Sequence, residues 1–280
     1  MRPLLDLPPL SFSTAAPVPS VPAPRATEGW QRRTRVVEVW GTVVLLDLRG
    51  HALDGEADRA LDDAVALLHR VDAWFSPFRP ESPLARLRAG RADLAGVPTV
   101  VQQVLAVCER VRDLTGGAFD PWAVPGGVDP SGYVKGWAAG CAADLVVAAG
   151  VPNVAVNAAG DVACRGMQAP GERWSVGILD PKDTQRVVEV VRVGDGAVAT
   201  SGLQVPSAHV VNPSTGRAET WYDTATVVGP DAGLADALAT ACLVAGPEAA
   251  GWFADMPAWS AYLVRGGEAT FFGPAFMHLA

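Results

Sequence analysis

Residues 153–165, with the sequence NVAVNAAGDVACR, mark the point at which this 280-residue chain changes from helix-forming to strand-forming patterns. Asn153–Val156 and Asp161–Arg165 are short β-type runs, and the Asn and Gly residues between them are turn signals. The second half of the chain is therefore predicted to be rich in strands. Further β-type runs are Trp174–Leu179, Val187–Val193 and Thr224–Val228, with a terminal hairpin predicted from Trp259–Val264 and Ala269–Phe272.

Apolar residues before this stretch recur mostly every three to four positions, which is the period of an amphipathic helix. One strand, Thr34–Leu48, is predicted ahead of these helices, and a compact loop covers Phe119–Tyr133. The predicted early helices run from Gly55 to just before Pro77 and over Ser82–Arg88, Val97–Leu114 and Lys135–Ala149. Two later helices, Gly233–Ala245 and Pro247–Asp255, interrupt the strands.

The order of these elements predicts the fold class. Helices cluster early and strands late, without strict βαβ alternation, so we expect an α+β fold with a helix-rich first half and a strand-rich second half. Residues 29–280 are enough for one globular unit with a substantial core. Residues 1–28 are rich in proline and are predicted to form a disordered arm.

Composition narrows the classes of function. Apolar residues make up 49% of the chain, but no uninterrupted apolar run approaches the roughly 20 residues of a membrane helix, so we expect no membrane insertion. The net charge of -8 argues against a nucleic-acid partner. The four cysteines are scattered without metal-binding spacing, and no signal peptide or lipid-anchor cysteine is visible near the start, so a cytoplasmic location is expected.

Asp236 and Thr240 are the first candidates for a chemical role. They are four residues apart in the predicted helix Gly233–Ala245, so both side chains emerge on one face of an otherwise apolar element. A buried carboxylate needs a partner, and a hard cation such as Mg²⁺ with oxygen ligands would supply one. The alternative is structural, with Asp236 near the helix start as a cap and Thr240 bonded back to a carbonyl.

Other segments carry weaker signals. Gly116-Gly117-Ala118-Phe119-Asp120 is either a turn that lets a planar ligand approach the backbone or a simple helix C-cap. Val128–Gly136 leads into a helix with Lys135 near its start, which favours an anion site. His209 lies beside the turn Asn212–Gly216 and is a candidate general base. Ser201 is not surrounded by a GxSxG elbow, so a serine-hydrolase interpretation is disfavoured.

Taken together and in order, these segments resemble the ApbE family of FAD:protein FMN transferases. The resemblance covers roughly residues 35–272. The matching stretches are Trp40-Gly41-Thr42, Phe75-Ser76-Pro77-Phe78 with Ser82, Gly117–Asp120, Val128–Gly136, Val156–Asp161, Trp174–Pro181, Ala199–Gly202, His209–Gly216 and Ala235–Thr240.

The resemblance implies two lobes with FAD in the cleft between them, and a function for each matched position. Asp236 and Thr240, with main-chain oxygens of Gly132 and Ala239, would bind Mg²⁺, and His209 would activate the acceptor hydroxyl. The FAD site would comprise Trp40, Phe78, Ala118, Phe119, Asp120, Asp129, Lys135 and Val210. The implied reaction transfers FMN from FAD to a Thr or Ser hydroxyl of an acceptor flavoprotein and releases AMP.

Several positions depart from the family pattern. Trp40 stands where Met is frequent, Phe78 where Tyr is usual, and Arg88 where Asn commonly follows the short helix. Ala159 replaces the first of two glycines, and Asn212 replaces an Asp. Only eight residues separate Asp120 from Asp129, so a segment that many members carry there is absent.

Two other functions are compatible with the same residues. A metal-dependent FAD pyrophosphatase would use water in place of the protein hydroxyl and yield FMN and AMP. A non-catalytic protein would bind FAD and leave it intact.

Overall fold

The computed structural model describes residues 29–202 and 210–274 and confirms the predicted mixture of helices and strands. Its helices are α1 (Gly55–Phe75), α2 (Pro83–Arg88), α3 (Thr99–Leu114), α4 (Ser131–Ala148), α5 (Ala232–Ala245) and α6 (Ala250–Ala254). Its strands are β1 (Gln31–Val39), β2 (Thr42–Gly50), β3 (Asn153–Ala158), β4 (Asp161–Arg165), β5 (Trp174–Asp180), β6 (Asp183–Val193), β7 (Gly196–Gly202), β8 (Thr224–Gly229), β9 (Ser260–Arg265) and β10 (Glu268–Phe272). The predicted arm, residues 1–28, lies outside the described residues.

Eight strands form one antiparallel sheet in the order β1-β2-β3-β4-β7-β8-β9-β10, and β5 pairs with β6 in a separate two-stranded ribbon. Strands that are consecutive in the chain are neighbours in the sheet, except that the two strands of the ribbon come between β4 and β7 in the chain. Helices α1 to α4 are inserted between β2 and β3, and α5 and α6 between β8 and β9. The resulting sheet runs almost in chain order.

The central strands are buried on both faces. Ala163, Ala197 and Leu263 belong to the large core under the helices, where α4 packs on β3 and β4 and α5 packs on β7 and β8. Their neighbours in sequence point the other way, because side chains alternate across a strand. Val162, Val198 and Val264 join the second core, which the ribbon residues Trp174, Ile178 and Val191 complete.

Several predicted elements differ from the structure. The run Thr34–Leu48 is not one strand but parts of β1 and β2, which form a hairpin with the two-residue turn Trp40-Gly41. Both turn residues have positive φ, 57° and 71°, as a type I′ turn requires. Trp40 is an unusual residue in such a turn, so the sequence lacks the usual turn signal at the point where the chain reverses direction. The second difference is that α4 begins at Ser131, one turn earlier than the predicted start at Lys135.

Strand β7 (Gly196–Gly202) is not among the predicted strands, and its last residues form the Ala199–Gly202 motif. It lies between β4 and β8 and is buried along most of its length. The predicted helix Pro247–Asp255 is shorter than expected, since a 3-10 turn, Gly246–Ala249, precedes α6. The predicted terminal hairpin is confirmed as β9 and β10.

One segment has the length and composition of a membrane-crossing helix. It covers the 23 residues Ala232–Ala254 and includes α5. In this fold α5 packs against α4 on one side and against β7 and β8 on the other, and nearly all its residues are buried. That is the environment of a core helix. The absence of membrane insertion stays a prediction.

Helices α4 and α5 touch through their backbones. A Cβ added to Gly136 would lie 2.1 Å from the carbonyl oxygen of Ala232, and one added to Gly233 would lie 2.7 Å from the ring of Tyr133. Only glycine fits at two such positions, because any side chain would force the helices apart. This close approach places the first turns of α4 beside Asp236.

We predict that Gly136→Ala destabilises the protein by at least about 1–3 kcal/mol, because the new methyl group meets backbone rather than a movable side chain. Gly140→Ala on the same helix is the matched control, since its added Cβ would lie 3.6 Å from the Ala232 methyl group, an ordinary contact. Alanine favours a helix over glycine by roughly 1 kcal/mol. The control should therefore be neutral or stabilising in urea denaturation, and equal stability of both variants would contradict the close approach.

Candidate functional site

A cleft opens where the first turn of α4, the middle of α5 and the ends of β4 and β7 meet. The turn before α4 and the stretch after residue 209 complete its walls. Its lining residues come from five parts of the chain: Ala118, Phe119, Asp120, Pro121, Val124 and Asp129; Ser131, Gly132 and Lys135; Ala159 and Asp161; Thr200, Ser201, Val210, Val211 and Pro213; and Asp236 and Thr240.

The N-terminal end of α4 faces this cleft. Pro130 precedes the helix and no side chain caps it by the usual N-cap bond. Instead, the Ser131 N–H donates to the carboxylate of Asp129 at 3.1 Å. Ser131 and Gly132 line the cleft beside Lys135, so helix dipole and ammonium combine there. Such an end attracts phosphate groups.

Three charged side chains meet on the cleft floor. The Lys135 Nζ lies 3.5 Å from Oδ2 of Asp236 and 3.6 Å from Oδ2 of Asp161. It also donates to the carbonyl of Ser131 at 3.2 Å. The two carboxylates are almost completely buried, with side-chain exposures of 2% and 4%, whereas Lys135 is 25% exposed. The floor therefore holds two buried carboxylates against one cation.

Burial and the neighbouring charges together set the pKa values of these three groups. Burial raises the pKa of Asp161, and the nearby charge of Asp236 raises it further, against the opposing effects of Lys135 and the Thr200 backbone N–H. Burial also raises the pKa of Asp236, despite Lys135 and the Gly136 N–H, which lies 3.3 Å from its carboxylate. For Lys135, burial works against the charged form, but Asp236 and Asp161 outweigh it and raise its pKa.

Thr240 lies on the same face of α5 as Asp236, as the four-residue spacing predicts, and both line the cleft. Its hydroxyl is 3.0 Å from the hydroxyl of Ser201. A Cβ on Gly132 would lie 3.3 Å from the same hydroxyl, so the backbone of α4 comes close to it. The structural alternative for Asp236 as a helix cap is not realised, because Asp231 caps α5 by accepting from the Leu234 N–H at 2.7 Å.

These groups fit a divalent cation with oxygen ligands. Asp236 supplies a carboxylate and Thr240 a hydroxyl, and Gly132 lines the cleft beside Thr240. The surplus buried carboxylate calls for another positive charge. Within residues 29–202 and 210–274, no group of three or more Asp, Glu, His and Cys residues could hold a metal. A cation here would therefore depend on ligand oxygens such as those of phosphates.

The structure brings most of the sequence-predicted site residues together. The cleft lining includes Ala118, Phe119, Asp120, Asp129, Gly132, Lys135, Val210, Asp236 and Thr240. It does not include Trp40 in the β1–β2 turn, Ala239, or Phe78, whose exposed fraction is 92%. His209 lies outside the described residues. The next residue in the sequence, Val210, is part of the cleft lining.

Four polar residues of the cleft are not among the predicted site residues: Ser131, Asp161, Thr200 and Ser201. Asp161 begins β4 after the turn Ala159-Gly160, in which Ala159 has a φ of 58°. A left-handed alanine is unfavourable, but it orients the chain so that Asp161 enters the cleft floor. An acid at the start of a strand that is otherwise buried was the available signal, because such an acid needs a partner.

Comparison with known proteins gives this site a context. The model of the ApbE family matches residues 40–126 and 123–263. The FAD:protein FMN transferase of Salmonella typhimurium is 30% identical over 193 residues, which are 65% of this chain and 52% of that protein. The corresponding protein of Vibrio cholerae serotype O1 is 34% identical over 99 residues, 32% of this chain and 30% of that protein. The matches thus span about half, or less, of these curated relatives.

Solved structures show the same fold. The flavin transferase ApbE from Vibrio cholerae superposes with a TM-score of 0.79 at 20% identity. The superposition covers 90% of this chain and 100% of the Vibrio cholerae chain. The ApbE protein of Thermotoga maritima has a TM-score of 0.75 at 22% identity, over 89% and 99% of the two chains. The flavinyl transferase ApbE of Pseudomonas stutzeri has a TM-score of 0.72 at 21% identity, over 89% and 97%.

We predict that Lys135→Met destabilises the metal-free protein, because it leaves two buried carboxylates without their cation. The loss should be somewhat below the roughly 3–5 kcal/mol of a fully buried pair, since Lys135 is partly exposed. The folded protein holds these carboxyl protons more tightly than the unfolded chain. The variant should therefore lose stability as pH rises from the ordinary Asp range towards neutrality.

Urea denaturation between pH 4 and pH 8 measures this effect, with the exposed Lys182→Met as the control. The double variant Lys135→Met/Asp161→Asn removes one charge of each sign and should recover much of the loss. Wild-type stability of Lys135→Met at neutral pH would show that Lys135 does not compensate the two carboxylates.

Proposed function

This chain belongs to the ApbE family, and on that premise we propose that it transfers the FMN half of FAD to a Thr or Ser hydroxyl of an acceptor flavoprotein and releases AMP. The curated relatives are named FAD:protein FMN transferases. The observation that carries the proposal is the cleft itself, which collects the Ala118–Asp120 turn, the start of α4 with Lys135, and the Asp236–Thr240 face of α5.

FAD is the proposed substrate, bound in the cleft between two lobes. Its pyrophosphate would lie against the N-terminal turn of α4, where backbone N–H groups and Lys135 favour negative charge. The Ala118–Asp120 turn would approach the flavin, and Trp40 and Phe78 are the aromatic residues proposed to contact the ring system. A cytoplasmic location is part of the same proposal.

Mg²⁺ would be held by Asp236 and Thr240 with main-chain oxygens of Gly132 and Ala239. When bound, it would supply positive charge to neutralise the phosphates and stabilise the leaving group. Lys135 would keep Asp236 in place and contribute a second positive charge. Asp161 would in turn hold Lys135, since both carboxylates lie at nearly equal distances from the ammonium.

The proposed reaction forms one bond and breaks one. The acceptor hydroxyl oxygen bonds to the phosphorus of the FMN half, and the bridging P–O bond of the pyrophosphate breaks, so that AMP leaves with the bridging oxygen. The hydroxyl proton passes to His209 as general base, because an alcohol is a weak nucleophile until its proton is removed. The residue that follows His209 in the sequence, Val210, lines the cleft, which supports this assignment.

Incubation with FAD and Mg²⁺, with and without a recombinant flavoprotein subunit that carries an exposed Thr, tests the proposal. AMP together with flavin covalently attached to the subunit, detected by mass spectrometry, is the expected result. AMP and free FMN in both samples would instead establish a pyrophosphatase. Bound FAD that stays intact would establish a non-catalytic binding protein.

We predict that Asp236→Asn lowers Mg²⁺-dependent AMP release by more than about 100-fold, because the neutral amide keeps the shape but loses the charge that a hard cation needs. The variant should still fold, since Lys135 keeps Asp161 as a partner. Asp231→Asn, at the N-cap residue of α5, is the matched control because asparagine caps a helix as well as aspartate does. Full Mg²⁺-dependent activity of Asp236→Asn, or indifference of the wild type to EDTA, would remove Asp236 from the metal site.

We also predict that His209→Ala lowers FMN transfer by about 10²–10⁴-fold while FAD binding persists. His69→Ala is the control, because His69 is exposed on α1. Transfer is followed by covalent flavin fluorescence, and binding by quenching of free FAD. A normal transfer rate in His209→Ala would place the general base elsewhere.

A further inference from the structure

We infer that Arg88 is a positioning residue of the proposed FAD site, which holds the cleft loop, residues 121–129, in place and neutralises Asp129 at its end. The inference rests on the proposed function, because it concerns the same cleft. Arg88 does not line the cleft itself and acts from behind the loop.

Arg88 is the last residue of α2, and its guanidinium is largely enclosed by the cleft loop. Nη1 donates to the carbonyl of Val128 at 3.1 Å, and Nη2 donates to the carbonyl of Pro125 at 3.2 Å. Nη1 also lies 3.4 Å from the Asp129 carboxylate, and the Arg88 side chain is only 18% exposed. One guanidinium thus binds three separate groups of one loop, which suits its fixed fork of donors.

The cleft loop is shaped to fit this side chain. Gly126 and Gly127 have positive φ values of 85° and 98°. A Cβ on Gly126 would lie 2.7 Å from Nη2 of Arg88, and one on Gly127 would lie 3.7–3.8 Å from the backbone and stem of Arg88. The loop backbone therefore folds directly around the arginine, and the positive φ values favour glycine at both positions.

The Arg88 contacts reach the cleft through Asp129. The Asp129 carboxylate accepts from the Ser131 N–H at the start of α4, and the Asp129 N–H donates to the carbonyl of Pro121 at 2.9 Å. Pro121, Val124 and Asp129 all line the cleft. The position of the cleft wall and of the first N–H of α4 therefore depends on where Arg88 holds Asp129.

Charge gives Arg88 a second effect. The described lining contains four carboxylates, Asp120, Asp129, Asp161 and Asp236, and Lys135 is its one lysine or arginine. A pyrophosphate is anionic, so each uncompensated carboxylate near it weakens binding. Arg88 brings a positive charge to Asp129 from outside the lining and so reduces the repulsion that FAD would meet.

The base of α2 makes Arg88 a firm anchor. Ser82 caps α2 by accepting from the Ala85 N–H at 2.9 Å, and its own hydroxyl donates to the carbonyl of Ser76 at 2.6 Å, just after α1. Leu84 and Ala85 are buried. The helix that carries Arg88 is thereby joined to α1, and the loop is attached to a rigid element.

The test measures FAD affinity without acceptor, by fluorescence quenching in the presence of Mg²⁺, with chromatography to verify that the FAD stays intact. Arg88→Ala should raise the dissociation constant by about tenfold or more, equivalent to roughly 1.4 kcal/mol. Arg88→Lys should lie between Arg88→Ala and the wild type, because it keeps the charge but cannot bridge the carbonyls as a fork. Arg86→Ala, which removes an exposed arginine from the same helix, is the matched control and should bind normally.

Two further measurements separate positioning from general destabilisation. Amide hydrogen exchange should accelerate in residues 121–131 of Arg88→Ala and stay unchanged in the sheet. The double variant Arg88→Ala/Asp129→Asn should recover part of the lost affinity, because it removes the exposed charge, and the two substitutions should be non-additive. Exchange that rises throughout the protein, or no recovery in the double variant, would overturn the inference.

The outcomes also distinguish this inference from the proposed function. Wild-type protein that fails to bind FAD would contradict the proposed function, while accelerated exchange confined to residues 121–131 would still support the positioning by Arg88. Wild-type binding with an unchanged dissociation constant in Arg88→Ala would contradict the positioning alone.

Discussion

The backbone contact between α4 and α5 is the constraint on which the rest of the site depends. Gly136 lies so near the Ala232 carbonyl that no side chain fits between them, and Gly233 leaves room for the Tyr133 ring. Because the helices approach this closely, the first turns of α4 place Lys135 within 3.5 Å of Asp236 and Gly132 beside Thr240. The sheet supports this pair from below, with α4 on β3 and β4 and α5 on β7 and β8. A larger separation of the helices would leave Asp236 buried without a cation, which is costly.

The balance between acidic and basic side chains is the second constraint on the cleft. Lys135 neutralises one of the two carboxylates on its floor, and Arg88 neutralises Asp129 from behind the cleft loop. The remaining negative charge is poorly suited to a phosphate ligand unless a cation accompanies it. A site of this composition is consistent with a phosphate ligand that arrives together with a divalent ion. It also ties the stability of the metal-free protein to the protonation of Asp161 and Asp236, whose pKa values are raised chiefly by burial.

In the proposed function, the acceptor decides which of two reactions takes place in the FAD site. Transfer of FMN to water and transfer of FMN to a protein hydroxyl would both break the same pyrophosphate bond of the proposed substrate. What separates them is the approach of the acceptor and the group that takes its proton, and fold alone does not specify these. The TM-scores of 0.72 to 0.79 to the solved ApbE structures support the shared architecture. The proposed residue functions come from the family resemblance together with the residues that line this chain's cleft.

Much of the local structure was determined by the sequence itself. The apolar period of α1, the Asp236–Thr240 spacing on α5 and the terminal hairpin were all predictable, because each depends on residues close together in the chain. The tertiary structure alone decided which distant groups became partners: Lys135 with Asp236, Asp161 beneath them, and Arg88 with Asp129. It also decided that residues 34–48 reverse direction at Trp40-Gly41, since this turn lacks the usual turn residues. The physical reason is that periodicity reports which face of an element is buried, whereas the partner of a buried charge depends on how those faces pack together.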